Sequence, residues 1–159
     1  MLTATKSSKI DITLERDTKS ISKKLSSFLT IGDIIFLKGE LGVGKTTFVK
    51  YLINNLQLKS KEKTTEIPSP TFNIVYEYKV GKMLINHYDL YRIKNQSDLK
   101  NIGILEDYKD KLTFIEWPEI LEDNIKNKIV LSFNYEDNLK KRSLVISSKN
   151  RIDVVNEFR

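Results

Sequence analysis

The eight residues Gly39-Glu40-Leu41-Gly42-Val43-Gly44-Lys45-Thr46 constrain this chain more than any other feature. They fit the pattern G-x-x-x-x-G-K-[ST]. They stand between an apolar run, Ile34-Ile35-Phe36-Leu37, and a segment in which Phe48, Val49, Leu52, Ile53 and Leu56 recur at helical spacing. In that setting the pattern has a mechanical meaning. Glycines let the backbone wrap a phosphate with successive N–H groups pointing inward, and the start of the helix adds free N–H groups and the positive end of its dipole. Lys45 is then placed to bridge β- and γ-phosphates, and the Thr46 hydroxyl to ligate Mg²⁺. Three of the six glycines lie in this loop. At average residue usage a chain of this length shows the pattern by accident on the order of once in two hundred. A guanine-reading N-K-x-D segment is not found, since its nearest approach, Asn127-Lys128-Ile129-Val130, ends in valine. ATP is the expected nucleotide.

The remaining segments extend the strand–loop–helix unit into an α/β domain. Residues 10–14 alternate like a short strand, and Asp17 or Thr18 stands where a helix cap would, before Ile21, Leu25, Phe28 and Leu29. Gly32 and Asp33 end that helix. The uniformly apolar Ile34–Leu37 run reads as a central, parallel strand, and a helix is expected over 45–57. The lysine- and threonine-rich stretch from Gln57 to Pro70 reads as a loop, mobile without ligand. Residues 72–80 and 82–90 flank the turn Val80-Gly81-Lys82 and predict a hairpin, hence a mixed sheet. Weak helical spacing over 95–109 is interrupted at Gly103. Leu112 to Trp117 is a short strand stopped by Pro118, Ile129–Phe133 and Leu144–Ile146 are two late strands, and the tail after Lys149 has no readable pattern. The expected fold is a single P-loop NTPase-like domain over residues 1–159, with a mixed, mostly parallel sheet flanked by helices and carrying a β-hairpin.

Composition narrows the chemistry. With 159 residues there is room for one core and not for two ordinary domains. The absence of cysteine removes disulfides, thiolate metal sites and cysteine nucleophiles, and suits a reducing, cytoplasmic setting. His87 is the only histidine, so multi-histidine metal sites are excluded. No apolar stretch approaches the roughly 20 residues of a membrane helix. The net charge of +6 suits nucleotides, RNA or acidic protein faces, and equally describes a merely basic surface.

A phosphate loop of this kind needs a carboxylate at the tip of a neighbouring strand to hold the Mg²⁺ shell. Glu116, closing Leu112-Thr113-Phe114-Ile115, has the expected shape and is the first choice. Asp89 could support the same site, orient a water, or simply pair with Arg92. Ser69-Pro70-Thr71 closes the polar loop, and a hydroxyl there could sense the γ-phosphate as switch segments do; an ordinary Ser-Pro turn is the plainer reading. Trp117 reads as a core filler and His87 as a hydrogen-bonded structural histidine.

Taken in order, GELGVGKTT, SPTF with Tyr76 beyond it, HYDLYR and IEW resemble the bacterial TsaE family of tRNA threonylcarbamoyladenosine biosynthesis. The resemblance runs from about Ile10 to Ile146. It implies a small ATPase acting with the proteins TsaD and TsaB in the modification of adenosine 37 of tRNA, touching tRNA indirectly through that complex. It further implies that Gly42, Val43, Gly44, Lys45, Thr46 and Thr47 bind ATP, that Thr46 and Glu116 hold Mg²⁺, that Asp89 is needed for hydrolysis and that Thr71 lies in a switch-like loop. Nucleotide contacts are implied near Thr18 and from a basic residue on the late strands, Arg142 in preference to Lys141.

Two other functions fit a phosphate loop. A small-molecule kinase needs an acceptor pocket and usually a lid with clustered arginines, whereas Arg16, Arg92, Arg142, Arg151 and Arg159 are scattered. A non-catalytic adaptor would use the nucleotide only to set partner affinity.

Overall fold

A computed structural model describes residues 3–159. In chain order the elements are β1 (Thr5–Lys6), β2 (Ile10–Asp11), α1 (Glu15–Ser26), β3 (Ile34–Lys38), α2 (Lys45–Lys59), β4 (Val75–Val80), β5 (Met83–Asp89), α3 (Gln96–Ile102), β6 (Leu112–Glu116), β7 (Ile129–Glu136), β8 (Lys141–Ser148) and α4 (Ile152–Asn156). The strands form one sheet in the order β1-β8-β7-β3-β6-β5-β4, with β2 also on β8. Its middle, β7-β3-β6-β5, is parallel, and both flanks are antiparallel. The expected mixed sheet with a parallel centre is the observed one.

The reason lies in β3, which has helices or loops on both faces and so carries no polar alternation. Ile35 and Leu37 face α1 and α2, packing with Leu25, Phe48, Leu52 and Ile53. Ile34 and Phe36 face the opposite layer of Leu99, Ile104, Leu121 and Ile125. Phe36, Phe48 and Phe114 are fully buried, and truncating any of them to alanine should cost about 3–5 kcal/mol.

The structure refines the expected elements in several places. The first helix starts at Glu15 with Leu14 before it and no side-chain cap; Thr18 instead donates from Oγ1 to the Ile12 carbonyl at 3.2 Å. The strand expected over 10–14 shrinks to two residues, Ile10 and Asp11, which pair with Leu144 and Ser143 of β8, while β1 pairs with Ser147 and Ser148. The stretch after α2 is a loop, as expected, beginning two residues later because α2 runs to Lys59; Gln57 and Thr65 exchange hydrogen bonds of 2.8 and 3.1 Å there, and Ile67 is buried. The late strands each run eight residues. The unreadable tail forms α4, pinned where Arg151 binds Asp33 at 2.5 Å and the Phe28 carbonyl at 3.0 Å. The 95–109 segment is helical only to Ile102, where Gly103 takes a left-handed conformation and ends it.

Among the described residues no helix is long and apolar enough to cross a membrane.

Candidate active site

The loop between β3 and α2 takes its shape from two glycines. Gly39 has φ +146°, and a Cβ there would stand 2.7 Å from the Phe133 carbonyl oxygen, so the chain leaves β3 by a route closed to any side chain. Gly44, at φ +114°, turns the backbone into α2. Between and beyond them, the N–H groups of Gly42, Gly44, Lys45, Thr46 and Thr47 find no acceptor among the described residues. Unpaired donors at a helix start suit an anion.

Lys45 is buried, and its Nζ donates to the carbonyls of Gly39 at 2.5 Å and Glu40 at 2.9 Å, beneath the Trp117 ring whose centroid is 4.0 Å away. Burial pushes the Lys45 ammonium below the ordinary lysine value, and Glu116, Asp89 and Glu119 partly offset this. Trp117 is therefore not the expected core filler. It is half-buried, tilted against Tyr91 at 4.9 Å, and forms the wall of a cavity of about 220 Å³ over the loop. Only the fold's turn after β6, with Trp117 at φ +56°, brings the ring there. Its position just after the acid-tipped strand was the signal available in the sequence.

The same cavity collects Gly42, Thr46, Thr47, Ser69, Thr71, Asp89 and Glu116. Glu116 and Asp89 end adjacent parallel strands in direct register, next to Leu37 at the end of β3. Both carboxylates are almost fully buried. Each has its own donors. Thr46 Oγ1 lies 2.9 Å from both Glu116 oxygens, and His87 Nε2 lies 2.8 Å from Oε1. Asp89 accepts from Thr71 Oγ1 at 2.9 Å and from the Tyr91 N–H at 2.9 Å. The pairing of Asp89 with Arg92 is not formed, since Arg92 lies over the exposed Phe72 ring. His87 is hydrogen-bonded, as a structural histidine would be, but its partner is the candidate metal carboxylate.

On the far side of the loop a second hollow, of about 230 Å³, shares Gly44 and Thr47 with the first and adds Ile12, Thr18, Val43 and Arg142. Thr18 and Arg142, distant in sequence, thus flank the loop together, while Lys141 does not line this hollow. A further cavity of about 490 Å³ opens at the other end of the sheet around Asp33 and Arg151, which neutralise each other.

The residues present suit ATP and Mg²⁺. Among the described residues no three acidic or histidine side chains form a metal cage. One hydroxyl and one carboxylate offer the hard oxygen set that Mg²⁺ takes when phosphates and water complete its shell.

Sheet order and flanking helices define an α/β protein with a mostly parallel central sheet and a glycine loop leading from β3 into α2. The family model of the threonylcarbamoyl adenosine biosynthesis protein TsaE matches residues 12–144. A tRNA threonylcarbamoyladenosine biosynthesis protein TsaE from Rickettsia conorii is 34% identical over 146 residues, which cover 82% of this chain and 81% of that one. The Bacillus subtilis protein of the same name is 34% identical over 110 residues, 69% of this chain and 65% of its own. The crystal structure of Bacillus subtilis YdiB shares the fold, with a TM-score of 0.74 over 99% of this chain and 95% of that one, at 23% identity. The chain belongs to the TsaE family of tRNA threonylcarbamoyladenosine biosynthesis.

Proposed function

We propose that this protein is a slow Mg²⁺-dependent ATPase that acts on the TsaD–TsaB pair and thereby supports threonylcarbamoyl modification of adenosine 37 in tRNA. The observation that carries the ATPase reading is the Thr46–Glu116 pairing at 2.9 Å, set beside Lys45 and the free loop N–H groups. Mg²⁺ bound with ATP would supply divalent charge that polarises the γ-phosphoryl group.

This chain's residues do the rest. The loop N–H groups cradle the phosphates, and Lys45 exchanges the Gly39 and Glu40 carbonyls for phosphate oxygens. Thr46 and Glu116 hold the metal. Trp117 covers the lysine and keeps bulk water from the phosphate side. Asp89 holds the Thr71 hydroxyl at the cavity wall, which couples the segment from Ser69 to the γ-phosphate position. The hollow lined by Thr18, Val43 and Arg142 would take the nucleoside.

Among the described residues no arginine lines the phosphate cavity itself: Arg92 lies on Phe72, Arg142 lines the adjoining hollow with its guanidinium beside Gly44, and Arg151 is bound at the opposite end of the sheet. A cavity with no arginine in its lining should turn over slowly alone, roughly at the 10⁻⁴ to 10⁻³ s⁻¹ of a GTPase lacking one. The test is phosphate release by the isolated chain and with purified TsaD and TsaB, together with association measured with ATP, ADP and no nucleotide. A large rise with the pair, and tighter association with ATP, supports the proposal. Fast turnover indifferent to the pair, with phosphate passed to a small metabolite, overturns it in favour of a kinase. ATP-dependent association without any hydrolysis favours the adaptor.

A further inference from the structure

His87, the chain's only histidine, has no part in the function proposed above. It sits in β5 between β4 and β6, and its side chain is completely buried. Its Nε2 stands 2.8 Å from Glu116 Oε1. A carboxylate only accepts, so this bond requires the proton on Nε2. Nδ1 has no partner among the described residues, and the Glu116 bond is thus the one polar contact that fixes the ring.

The dependence is mutual. Glu116 receives side-chain bonds from Thr46 and His87 alone. Thr46 is the hydroxyl that the proposed function commits to Mg²⁺; a lone pair of its oxygen would meet the metal, while its single O–H proton can serve only one carboxylate oxygen. His87 is the donor for the other, Oε1. Register makes the contact possible: His87 pairs with Phe114 across β5 and β6, and Glu116 lies two residues on, on the same face. Asp89, though directly opposite Glu116, spends its oxygens on Thr71 and Tyr91. The two neighbouring carboxylates do not share a donor.

We propose that His87 is a positioning residue that holds the Glu116 carboxylate facing Thr46 before the metal arrives. The proposal rests on the reading of Thr46 and Glu116 as the Mg²⁺ holders. Removing a hydrogen-bond partner of a metal-ligating group costs about 10- to 100-fold in metal affinity.

The experiment is calorimetric titration of ATP into the full chain, in graded Mg²⁺ and in EDTA, for wild type, His87→Ala and His87→Gln. His87→Ala should need about 10- to 100-fold more Mg²⁺ to reach tight binding, with its affinity in EDTA unchanged. His87→Gln, whose amide N–H reaches toward the same oxygen, should recover most of the loss. Equal Mg²⁺ dependence in all three overturns the proposal. Wild type that binds no ATP, or binds it without regard to Mg²⁺, overturns instead the reading beneath it. Where His87→Ala does not fold, ¹⁵N NMR of wild type decides, because one histidine gives one assignable imidazole. A slowly exchanging Nε2–H that shifts on adding Mg²⁺ with ADP supports the proposal. A ring protonated on Nδ1, or an Nε2–H indifferent to Mg²⁺, overturns it.

Discussion

The two sides of the phosphate cavity are built differently. On the β6 side, Glu116 and His87 project from central strands, Thr46 from the first turn of α2, and all but Thr46 are buried. On the other side, Ser69 and Thr71 stand on a segment with exposed Phe72 and Asn73 beyond them, tied to the sheet by the Thr71–Asp89 bond and by the Asp89 N–H to the Ile74 carbonyl at 2.8 Å. Ile74, β-branched, is held at φ +70°, a conformation such residues avoid. The first side is shaped by the core; the second is held by few bonds over strained backbone, as a segment that answers to a γ-phosphate must be.

The largest effects should come from the core-built side. Lys45→Ala removes the one buried cation at the phosphates and should lower ATP turnover on the order of 10²- to 10³-fold, as loss of a charge-stabilising donor does. Its thermal midpoint should stay close to wild type, because the lysine touches only carbonyls and the Trp117 ring. Turnover measured beside a melting curve checks both. A fall in midpoint that accounts for the lost activity would show the lysine to be structural.

Next is the contrast between the carboxylates. Glu116→Gln should raise the Mg²⁺ concentration for half-maximal activity by more than the roughly 10- to 100-fold that loss of an outer partner of a metal ligand costs, while Asp89→Asn should lower the maximal rate and leave the Mg²⁺ requirement near wild type. Mg²⁺ titrations of the two variants rank them. The opposite order would move the metal to Asp89 and undo the division between the two sides.

How much of this was readable follows the same division. The phosphate loop, β3, β6 and Glu116 were legible because each is a local pattern: fixed glycine offsets, an apolar run, an acid at a strand tip. Thr71 and Asp89 appear as candidates in the sequence, but their bond is a product of the turn at Ile74 and of β4–β5 register, which no spacing encodes. His87 was legible only as a structural histidine, since its tie to Glu116 depends on the stagger of two strands 29 positions apart. The α1 start was misread because Asp17 and Thr18 are good caps by type, while the chain bends earlier, at Leu14, to bring Thr18 against Ile12. Short α4 carries too few residues for a period to show.

A smaller effect should mark the switch side. Thr71→Ala removes one hydroxyl bond to a buried carboxylate, worth about 1.5–3 kcal/mol when the acceptor is charged, and Thr71→Ser should restore it. Hydrogen exchange should then speed up over residues 69–74 in the alanine variant and leave β6 unchanged. Exchange that rises equally in both regions would mean that the two sides are one cooperative unit.

The smallest effect is in pH, and it sets stability against binding. Burial lowers the Lys45 value below 10.5, so its ammonium begins to lose its proton at a pH where an exposed lysine is still fully charged. Between the folded and unfolded values the unfolded chain binds more protons, so the stability of the nucleotide-free protein gains from Lys45 as pH rises through that window. Nucleotide affinity must move the other way, because the neutral amine offers the phosphates no charge. Denaturant midpoints and ATP affinities measured across the alkaline range should therefore have opposite slopes in wild type. Lys45→Arg, which keeps its charge throughout, should flatten the affinity slope. Parallel slopes, or an arginine variant that keeps the alkaline loss, would assign the effect to some group other than Lys45.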